Sequence, residues 1–250
     1  MATGRRLNMT NISALTFYAT MPRTCSYLAE QTAATLLVDP QAAVNTPLYS
    51  TLIEYGFRRS GEHVYRPRCE NCQACIPVRI PVEVFQPSRI QKRIWRRNQD
   101  IEVQCVPPLR NNEHFELYQR YLTHRHAGGG MDDPDPDNYL AFLASRHIDT
   151  GFYEFRLQGQ LLCLAVVDHL MQGMSAVYTF FDPRYAQRSL GVYAVLWQIE
   201  HAKQRGLAWV YLGYWIKASP KMNYKALYQP LVMYQHGQWM MALPSAQHVR

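Results

Sequence analysis

The stretch from Met174 to Pro230 constrains the fold of this chain more than any other segment. It begins with an apolar run, Met174–Phe181, that has the length and composition of a β-strand. A turn-forming segment, 182–191, comes next, and after it apolar residues recur with the spacing of one helical face. Gly206 suits the end of that helix, and a second strand-like run, Ala208–Gly213, follows. The pattern predicts a βαβ unit: a strand, a turn, a helix and a second strand.

The turn before the helix is a candidate binding site for an anion. Backbone N–H groups at a helix start lack partners within the helix and carry partial positive charge. Such a turn suits a phosphate, or the oxyanion that develops during acyl transfer. Arg188 and Gly191 lie at this point. The alternative is an ordinary βαβ unit whose glycine only closes the turn, because short glycine patterns often match by chance.

Three strands joined by hairpins are predicted directly upstream. The runs Phe152–Leu157, Leu161–His169 and Met174–Phe181 are separated by short glycine-containing turns, which is typical of antiparallel pairing. The order of three hairpin strands, turn, helix and strand resembles the core of the GNAT acyltransferases, and so does the Arg188-x-x-Gly191 pattern. The predicted fold class is therefore α+β, with a GNAT-like acyltransferase core and a smaller N-terminal domain that contains most of the cysteines.

Positive charge is concentrated in the N-terminal half. The net charge is +7, and the segment from Phe57 to Arg110 holds eleven Lys/Arg against five Asp/Glu. Nucleic acid is the usual partner of such a segment, whereas the alternative is a solvated face that only maintains solubility. Ser88 is predicted to cap a helix that ends near Asn98. Five cations follow one another along a face of that helix: Arg89, Lys92, Arg93, Arg96 and Arg97.

The cysteines suggest a metal site in a loop. Cys69, Cys72 and Cys75 have the spacing of metal ligands, and Cys25 could be the fourth, which predicts zinc or an iron–sulfur cluster. The alternative is a loop of reduced thiols packed as small apolar groups. The segment Met1–Asn8 lacks the apolar core of a secretory signal, so a cytoplasmic location is expected and a disulfide framework is not.

Six short phrases together resemble one family. They are similar to the aminoacyl-tRNA–protein transferases, specifically the short bacterial aspartate/glutamate leucyltransferases, and the resemblance covers nearly the whole chain. The block of cysteines and the Lys-Met-x-Tyr-Lys block are the specific parts. The phrases are Cys25–Leu28, Tyr55–Gly61, Tyr65–Arg79, Asp182-Pro183 with Ser189–Gly191, Leu212–Ile216 and Lys221–Lys225.

The resemblance implies an enzyme that transfers an amino acid from aminoacyl-tRNA to a protein. The acceptor would be the N-terminal amine of proteins beginning with Asp or Glu, the transferred residue would be leucine, and the product would enter the N-degron route of degradation. An aminoacyl ester is already activated, so the enzyme needs positioning, help with one proton and stabilisation of an oxyanion. No cofactor is required for this transfer, and no membrane is involved.

The resemblance also implies roles for particular residues. Asp168, at the end of a central strand, would hold the substrate α-ammonium or take its proton, with Tyr178 and Tyr214 as orienting hydroxyls. The alternatives are a turn-capping carboxylate and core tyrosines. The donor tRNA would be bound by Arg188, Ser189, Gly191, Lys221, Tyr224 and Lys225, and by Arg93 and Arg97 of the basic helix. The acidic acceptor side chain would pair with an arginine from the group Arg58, Arg59, Arg66, Arg68 and Arg79.

The expected division of the chain is an N-terminal domain at 1–105, with the cysteine loop and basic helix, and a GNAT-like aminoacyltransferase domain at 106–250. Pro77 and Pro81 predict that the strand Ile76–Phe85 lies near a sheet edge.

Three other functions remain open. They are arginyl transfer, N-acetylation by a GNAT enzyme that uses acetyl-CoA, and a non-enzymatic module that binds nucleic acid. Tyr193 disfavours the N-acetyltransferase, because those enzymes carry a small residue at this position.

Overall fold

The computed structural model describes residues 12–125, 135 and 138–242 of the chain. Its helices are α1 (Thr46–Glu54), α2 (Arg89–Arg97), α3 (Asn112–Arg125), α4 (Asn138–Leu143), α5 (Leu190–Gln204) and α6 (Pro220–Asn223). Its strands are β1 (Phe17–Ala19), β2 (Arg23–Thr24), β3 (Thr32–Ala33), β4 (Thr35–Val38), β5 (Arg58–Ser60), β6 (His63–Pro67), β7 (Ile76–Pro81), β8 (Glu102–Val106), β9 (Thr150–Leu157), β10 (Gln160–His169), β11 (Gly173–Phe181), β12 (Trp209–Trp215), β13 (Val232–Gln235) and β14 (Gln238–Met241). Short 3₁₀ turns lie at Ile12–Ala14, Pro183–Arg188 and Tyr224–Leu227.

A mixed eight-stranded sheet forms the centre of the molecule, in the order β14-β13-β7-β12-β11-β10-β9-β8. Its neighbouring strands are antiparallel except for β11 and β12, which are parallel. A four-stranded sheet, β1-β4-β6-β5, and a two-stranded sheet, β2-β3, come from the N-terminal part. This combination of helices with mainly antiparallel strands agrees with the α+β class. In the described ranges, no helix has both the length and the apolar character needed to cross a bilayer.

The predicted βαβ unit is confirmed. β11 leads through the 3₁₀ turn into α5, and Gly206, with φ +67°, follows the end of that helix. β12 then pairs in parallel with β11. The three hairpin strands β9, β10 and β11 also pair antiparallel as expected.

The prediction that β7 lies near an edge is wrong. β7 lies between β12 and β13, two strands that come more than 120 residues later in the chain. The prolines are tolerated because β13 pairs only with Val78 and Arg79, so Pro77 and Pro81 lie outside that ladder. The boundary at residue 105 stays a prediction, although β7 from the first part and β9–β14 from the second share this sheet.

Helices cover both faces of the central sheet. α5 buries Leu196, Ile199 and Ala202 on one face, as its apolar spacing predicts. α3 buries Leu117 and Leu122 on the other face. Each such leucine or isoleucine contributes roughly 1.5–3 kcal/mol through removal from water, so the two layers hold the strands in a defined arrangement.

The parallel strands β11 and β12 part after three pairs. Their last pair is Ser175 with Tyr211. Immediately beyond it, Val177 is an extra residue relative to β10, and Leu212 is an extra residue relative to β7. Such β-bulges bend a strand, and here they occur in both strands at the same level. We call the opening between residues 176–181 of β11 and residues 212–215 of β12 the strand split.

Candidate active site

The side chain of Arg58 lies where the strand split begins. Its Nη1 donates to Ser175 Oγ at 2.9 Å and its Nη2 to the carbonyl of Ala176 at 2.6 Å, both on β11. On the other side, a Cβ placed on Gly213 of β12 would lie 3.2 Å from Arg58 Nε. Gly213 also has φ +78°, a conformation that glycine adopts at little cost. Arg58 therefore bridges the two strands and is 8% exposed.

Lys225 is a second buried cation at the same place. Its Nζ donates to the carbonyl of Tyr214, the residue after Gly213, at 2.6 Å, and lies 3.8 Å from the sulfur of Met222. Burial, together with the positive charge of Arg58, lowers the pKa of Lys225 to about 7. The protein partners of Arg58 and Lys225 are thus neutral acceptors.

Arg59 makes a different set of contacts from its neighbour. Its Nε and Nη2 donate to the two oxygens of Asp168 at 2.8 and 2.5 Å, and Thr150 Oγ1 donates to Asp168 at 2.8 Å. The side chains of Arg59 and Asp168 are both 0% exposed. The ion pair fixes β5 against β9 and β10. Asp168 also lies opposite Ser175 in the register of β10 and β11. The ion pair of Arg59 and Asp168 therefore lies beside the residue that accepts a hydrogen bond from Arg58.

Two of the predicted catalytic groups are engaged within the protein. Both oxygens of Asp168 are occupied and its side chain has no exposed surface, so the geometry does not support contact with a substrate amine. The Tyr214 hydroxyl donates to the carbonyl of Gly56 at 2.9 Å, and burial raises the pKa of Tyr214 well above its ordinary value. In this structure both side chains contact other parts of the protein.

Tyr178 and Tyr224 lie beside the strand split. Tyr178 lies on β11 beyond the last pair with β12, and its ring packs edge-on against Tyr121 at 6.4 Å and Phe142 at 5.6 Å. Tyr224 is 44% exposed, and its phenol is close enough to interact electrostatically with Tyr121 and Arg58. The structure therefore brings together five predicted site residues: Arg58, Tyr178, Tyr214, Tyr224 and Lys225.

The predicted anion-binding turn is joined to the end of α2. Arg188 donates to the carboxylate of Asp100 at 2.8 and 2.9 Å, which lowers the pKa of Asp100. Asn98 Nδ2 donates to the carbonyl of Arg188 at 2.9 Å, and Arg97 donates to the carbonyl of Gln187. Arg188 thus pairs with an internal carboxylate and holds the turn against the helix.

The start of α5 approaches β11 closely. Ser189 has a left-handed φ of +52°, and its carbonyl accepts from the N–H groups of Val192 and Tyr193. A Cβ on Gly191 would lie 3.0 Å from the Phe181 ring, so a larger residue here would force that ring to shift. Tyr193, the large residue that disfavours coenzyme A, is buried and packs 5.5 Å from Trp95.

The basic helix α2 runs from one rim of the site to the other. Ser88 and Gln91 form a capping box at its start, and Gln91 Nε2 donates to the carbonyl of Leu227 at 3.1 Å. Its other end contacts the turn at Arg188. Gln91 and Ile94 face inward, and the five cations of the predicted stripe are all exposed. Lys221 is exposed on α6, which directly precedes the 3₁₀ turn that contains Leu227.

Most of the arginines that could pair with an acidic acceptor lie elsewhere. Arg79 Nη1 donates to both oxygens of Glu54 at 2.9 and 2.8 Å, and its guanidinium lies between the rings of Trp209 and Trp239 at 3.6 and 4.2 Å. Arg66 donates to the carbonyl of Tyr55 at 3.1 Å. Since Arg79 already has a carboxylate partner, its positive charge is compensated within the protein.

Arg68 is exposed, and only its backbone is fixed, by a hydrogen bond from its N–H to the carbonyl of Ala34 at 2.8 Å. Among the described arginines of this group, Arg58 is the one placed in the strand split. The signal that could have separated Arg58 from Arg59 is their position on a strand, where successive side chains point to opposite faces.

The cysteine loop does not support the predicted metal. All four cysteines carry free thiols of intermediate exposure, and they act electrostatically on one another. Within the ranges that the structure covers, however, no three His, Cys, Asp or Glu side chains are grouped to hold a metal ion. Burial, together with the neighbouring thiols of Cys25, Cys69 and Cys72, raises the pKa of Cys75 to about 12. Within the described residues, the structure therefore does not support the predicted zinc or iron–sulfur site at Cys25, Cys69, Cys72 and Cys75.

Comparison with known proteins identifies the class. Family models described as "Arginine-tRNA-protein transferase, N terminus" and "Arginine-tRNA-protein transferase, C terminus" match residues 23–93 and 113–235. Together these matches cover well over half of the chain, including the strand split, the cysteine loop and the first part of α2. The chain belongs to the arginine-tRNA-protein transferase family.

Within that family the chain is similar to enzymes named aspartate/glutamate leucyltransferase. It is 52% identical to the protein of that name from Pseudomonas fluorescens (strain Pf0-1), over 92% of this chain and 98% of the relative. The corresponding protein of Pseudomonas syringae pv. syringae (strain B728a) is 51% identical over the same shares.

Solved structures give weaker likenesses. The C-terminal domain of a putative lysylphosphatidylglycerol synthetase from Agrobacterium fabrum has a TM-score of 0.45 at 12% identity, over 58% of this chain and 48% of that one. FemX has a TM-score of 0.44 at 8% identity, over 80% of each chain. These scores are too low to support an argument from a shared fold.

Proposed function

We infer that this protein transfers leucine from leucyl-tRNA to the N-terminal amine of proteins that begin with Asp or Glu. Membership of the family supports transfer from aminoacyl-tRNA to protein, and the names of the similar proteins support leucine and the acidic acceptors. The added leucine marks the acceptor for degradation by the N-degron route. The reaction belongs in the cytoplasm, where aminoacyl-tRNA is available, and its chemistry requires no cofactor.

The proposed catalytic core is GNAT-like, with a smaller N-terminal domain that carries the cysteine loop. Three antiparallel strands, a turn, α5 and a parallel strand follow one another in the order expected for that core. The bulged parting of β11 from β12 supports this proposal, because it opens a site at the level where the two parallel strands stop pairing.

The observation that carries the proposed chemistry is the strand split itself. Beyond Ser175, no strand in the described part of the chain pairs with the edge of β11 that faces β12, so N–H groups on that edge can donate to an oxyanion. The acceptor amine, with an ordinary pKa of about 8, attacks the ester carbonyl as the free base. The amide C–N bond forms, the ester C–O bond breaks, and the ribose hydroxyl leaves with a proton.

The tRNA is proposed to lie along α2. The exposed stripe on that helix, which includes Arg93 and Arg97, runs between the turn at Arg188 and the segment after β12 that carries Lys221. Cations placed in this way can contact successive phosphates, and each contact makes binding more dependent on salt. The acceptor end of the tRNA would then enter the strand split from the α5 side.

Mass spectrometry of a single reaction tests the proposal. The protein is incubated with a pool of charged tRNAs and peptides that differ only in an N-terminal Asp, Glu or Ala. We expect leucine on the Asp and Glu peptides only. An arginyl product would show that arginine, and not leucine, is the transferred residue. Acetylation in the presence of acetyl-CoA would favour the N-acetyltransferase alternative. No product of any kind would overturn the enzymatic assignment.

A further inference from the structure

We propose that Arg58 and Lys225 form one carboxylate-binding pocket that recognises the acidic side chain of the acceptor. This inference rests on the proposed function for the identity of the acceptor, and it assigns to Lys225 a role on the acceptor rather than on the tRNA. Its basis is the unbalanced charge of two buried cations at the same point of the strand split.

The two cations lie against consecutive residues of β12. Arg58 Nε packs against Gly213, and Lys225 Nζ donates to the carbonyl of Tyr214. Consecutive Cα atoms are about 3.8 Å apart, so the two charged groups converge on the same short stretch of strand. Their charges are close enough for Arg58 to oppose the protonation of Lys225.

Other buried cations of the described chain have a carboxylate, and these two do not. Arg59 pairs with Asp168, and Arg79 pairs with Glu54. Arg58 and Lys225 are only 8% and 5% exposed, yet their hydrogen-bond acceptors are a hydroxyl, two carbonyls and a thioether. Burying like charges without a counter-ion is unfavourable, and a bound anion would relieve that cost.

A carboxylate fits this pocket better than a tRNA phosphate. Hydrogen bonds from Nη1 and Nη2 of Arg58 to β11 hold its guanidinium in one orientation, and each of these two nitrogens carries a second hydrogen that can be donated to a ligand. A small planar carboxylate can reach such a recessed group and bind it in a bidentate manner. A phosphodiester is bulkier, and the exposed cations of α2 already offer it accessible partners.

The pocket also predicts that acidic acceptors bind together with a proton. In the free protein the pKa of Lys225 is lowered to about 7, and a bound carboxylate would raise it. The other titratable groups around it stay neutral at this pH, because burial raises the pKa of Cys75 to about 12 and raises those of Tyr65 and Tyr214. Tyr224 is neutral as well, so Arg58 is the charged neighbour that acts on Lys225.

The sign of the pH dependence follows from that shift. The pKa of Lys225 is higher in the complex than in the free protein, so acidic acceptors bind best below about pH 7. Their affinity falls as the pH rises above the free-state pKa towards the higher pKa of the complex. A neutral acceptor should show no such dependence on Lys225.

The test compares peptides that begin with Glu and with Gln, which have nearly the same shape. We expect Lys225→Met to lower the ratio of kcat/KM for Glu over Gln by about tenfold or more, as for loss of a charge-assisted hydrogen bond, with KM for leucyl-tRNA unchanged. Lys217→Met is the matched control, because Lys217 is an exposed lysine between β12 and α6. It should leave the ratio at the wild-type value.

A second measurement uses only the wild-type protein, so it does not depend on the folding of a variant. Calorimetry of Glu-peptide binding at pH 8, in buffers of different ionisation enthalpy, should show net proton uptake that the Gln peptide lacks. Equal proton exchange for both peptides would overturn the proposal. The proposal would also be overturned if Lys225→Met raised KM for leucyl-tRNA and left the ratio of kcat/KM for Glu over Gln unchanged. That result would assign the pocket to a tRNA phosphate. Failure of the wild type to leucylate any acidic peptide would instead overturn the proposed function.

Discussion

Arg59 and Asp168 form a bidentate ion pair, at 2.8 and 2.5 Å, in which neither side chain is exposed. The pair joins β5 to β10 at the register position where Asp168 faces Ser175 of β11. Ser175 is also the acceptor of a hydrogen bond from Arg58. A buried ion pair that does not reach the solvent thus positions the cation that lies in the strand split.

Replacement of Asp168 should destabilise the whole protein. We expect Asp168→Asn to lower the free energy of unfolding by about 3–5 kcal/mol, because it leaves Arg59 buried without its counter-charge. Urea denaturation measures this change. Asp149→Asn, which alters an exposed carboxylate near the same strands, should change stability by about 0.5 kcal/mol or less. An Asp168→Asn protein as stable as the wild type would contradict this account of the pair.

A pair of glycine substitutions separates backbone strain from contact with Arg58. Gly213 and Gly159 have φ of +78° and +81°, so alanine meets a similar backbone penalty of about 1 kcal/mol at both. Only at Gly213 does the new Cβ press on Arg58; at Gly159 nothing lies within 4 Å. Steady-state kinetics should show roughly a ten- to hundredfold loss of kcat/KM with acidic peptides for Gly213→Ala alone. Equal effects of the two substitutions would argue against a role for Arg58.

The exposed stripe on α2 should control the salt dependence of tRNA binding. For Arg93→Gln with Arg97→Gln, the slope of log K against log salt should flatten by about one per lost phosphate contact. Filter binding or fluorescence titration over a salt series measures the slope. Arg146→Gln, which changes an exposed arginine in the connection between α4 and β9, is the control and should leave the slope unchanged. An unaltered slope in the double variant would exclude α2 as the tRNA contact.

Removal of metal should leave the protein folded and active. The described cysteines are not grouped as metal ligands. We therefore expect a chelator to change neither Tm nor leucyl transfer, and elemental analysis of anaerobically purified protein to find less than one zinc or iron per chain. One equivalent of either metal, lost together with stability on chelation, would restore the metal hypothesis.

Local signals in the sequence predicted many of the elements well. The spacing of apolar residues predicted α5, and Gly206 predicted its end, because both depend on neighbours within a few turns. Ser88 predicted the start of α2 for the same reason. The two prolines of β7 predict an edge strand, and this prediction is wrong because prolines are a local signal. The position of β7 in the sheet depends instead on pairing with β13, more than 150 residues further along the chain.

The sequence by itself determined the family, the chemistry of the reaction and the set of basic residues from which the site is built. Only the tertiary structure decided which of those cations are neutralised. Arg59 finds Asp168 at a separation of 109 residues, and Arg79 finds Glu54 across α1 and β7. Arg58 and Lys225 meet neutral groups on β11 and β12. The charge state of a site depends on which groups share a buried volume, and long-range strand pairing, rather than local residue spacing, brings those groups together.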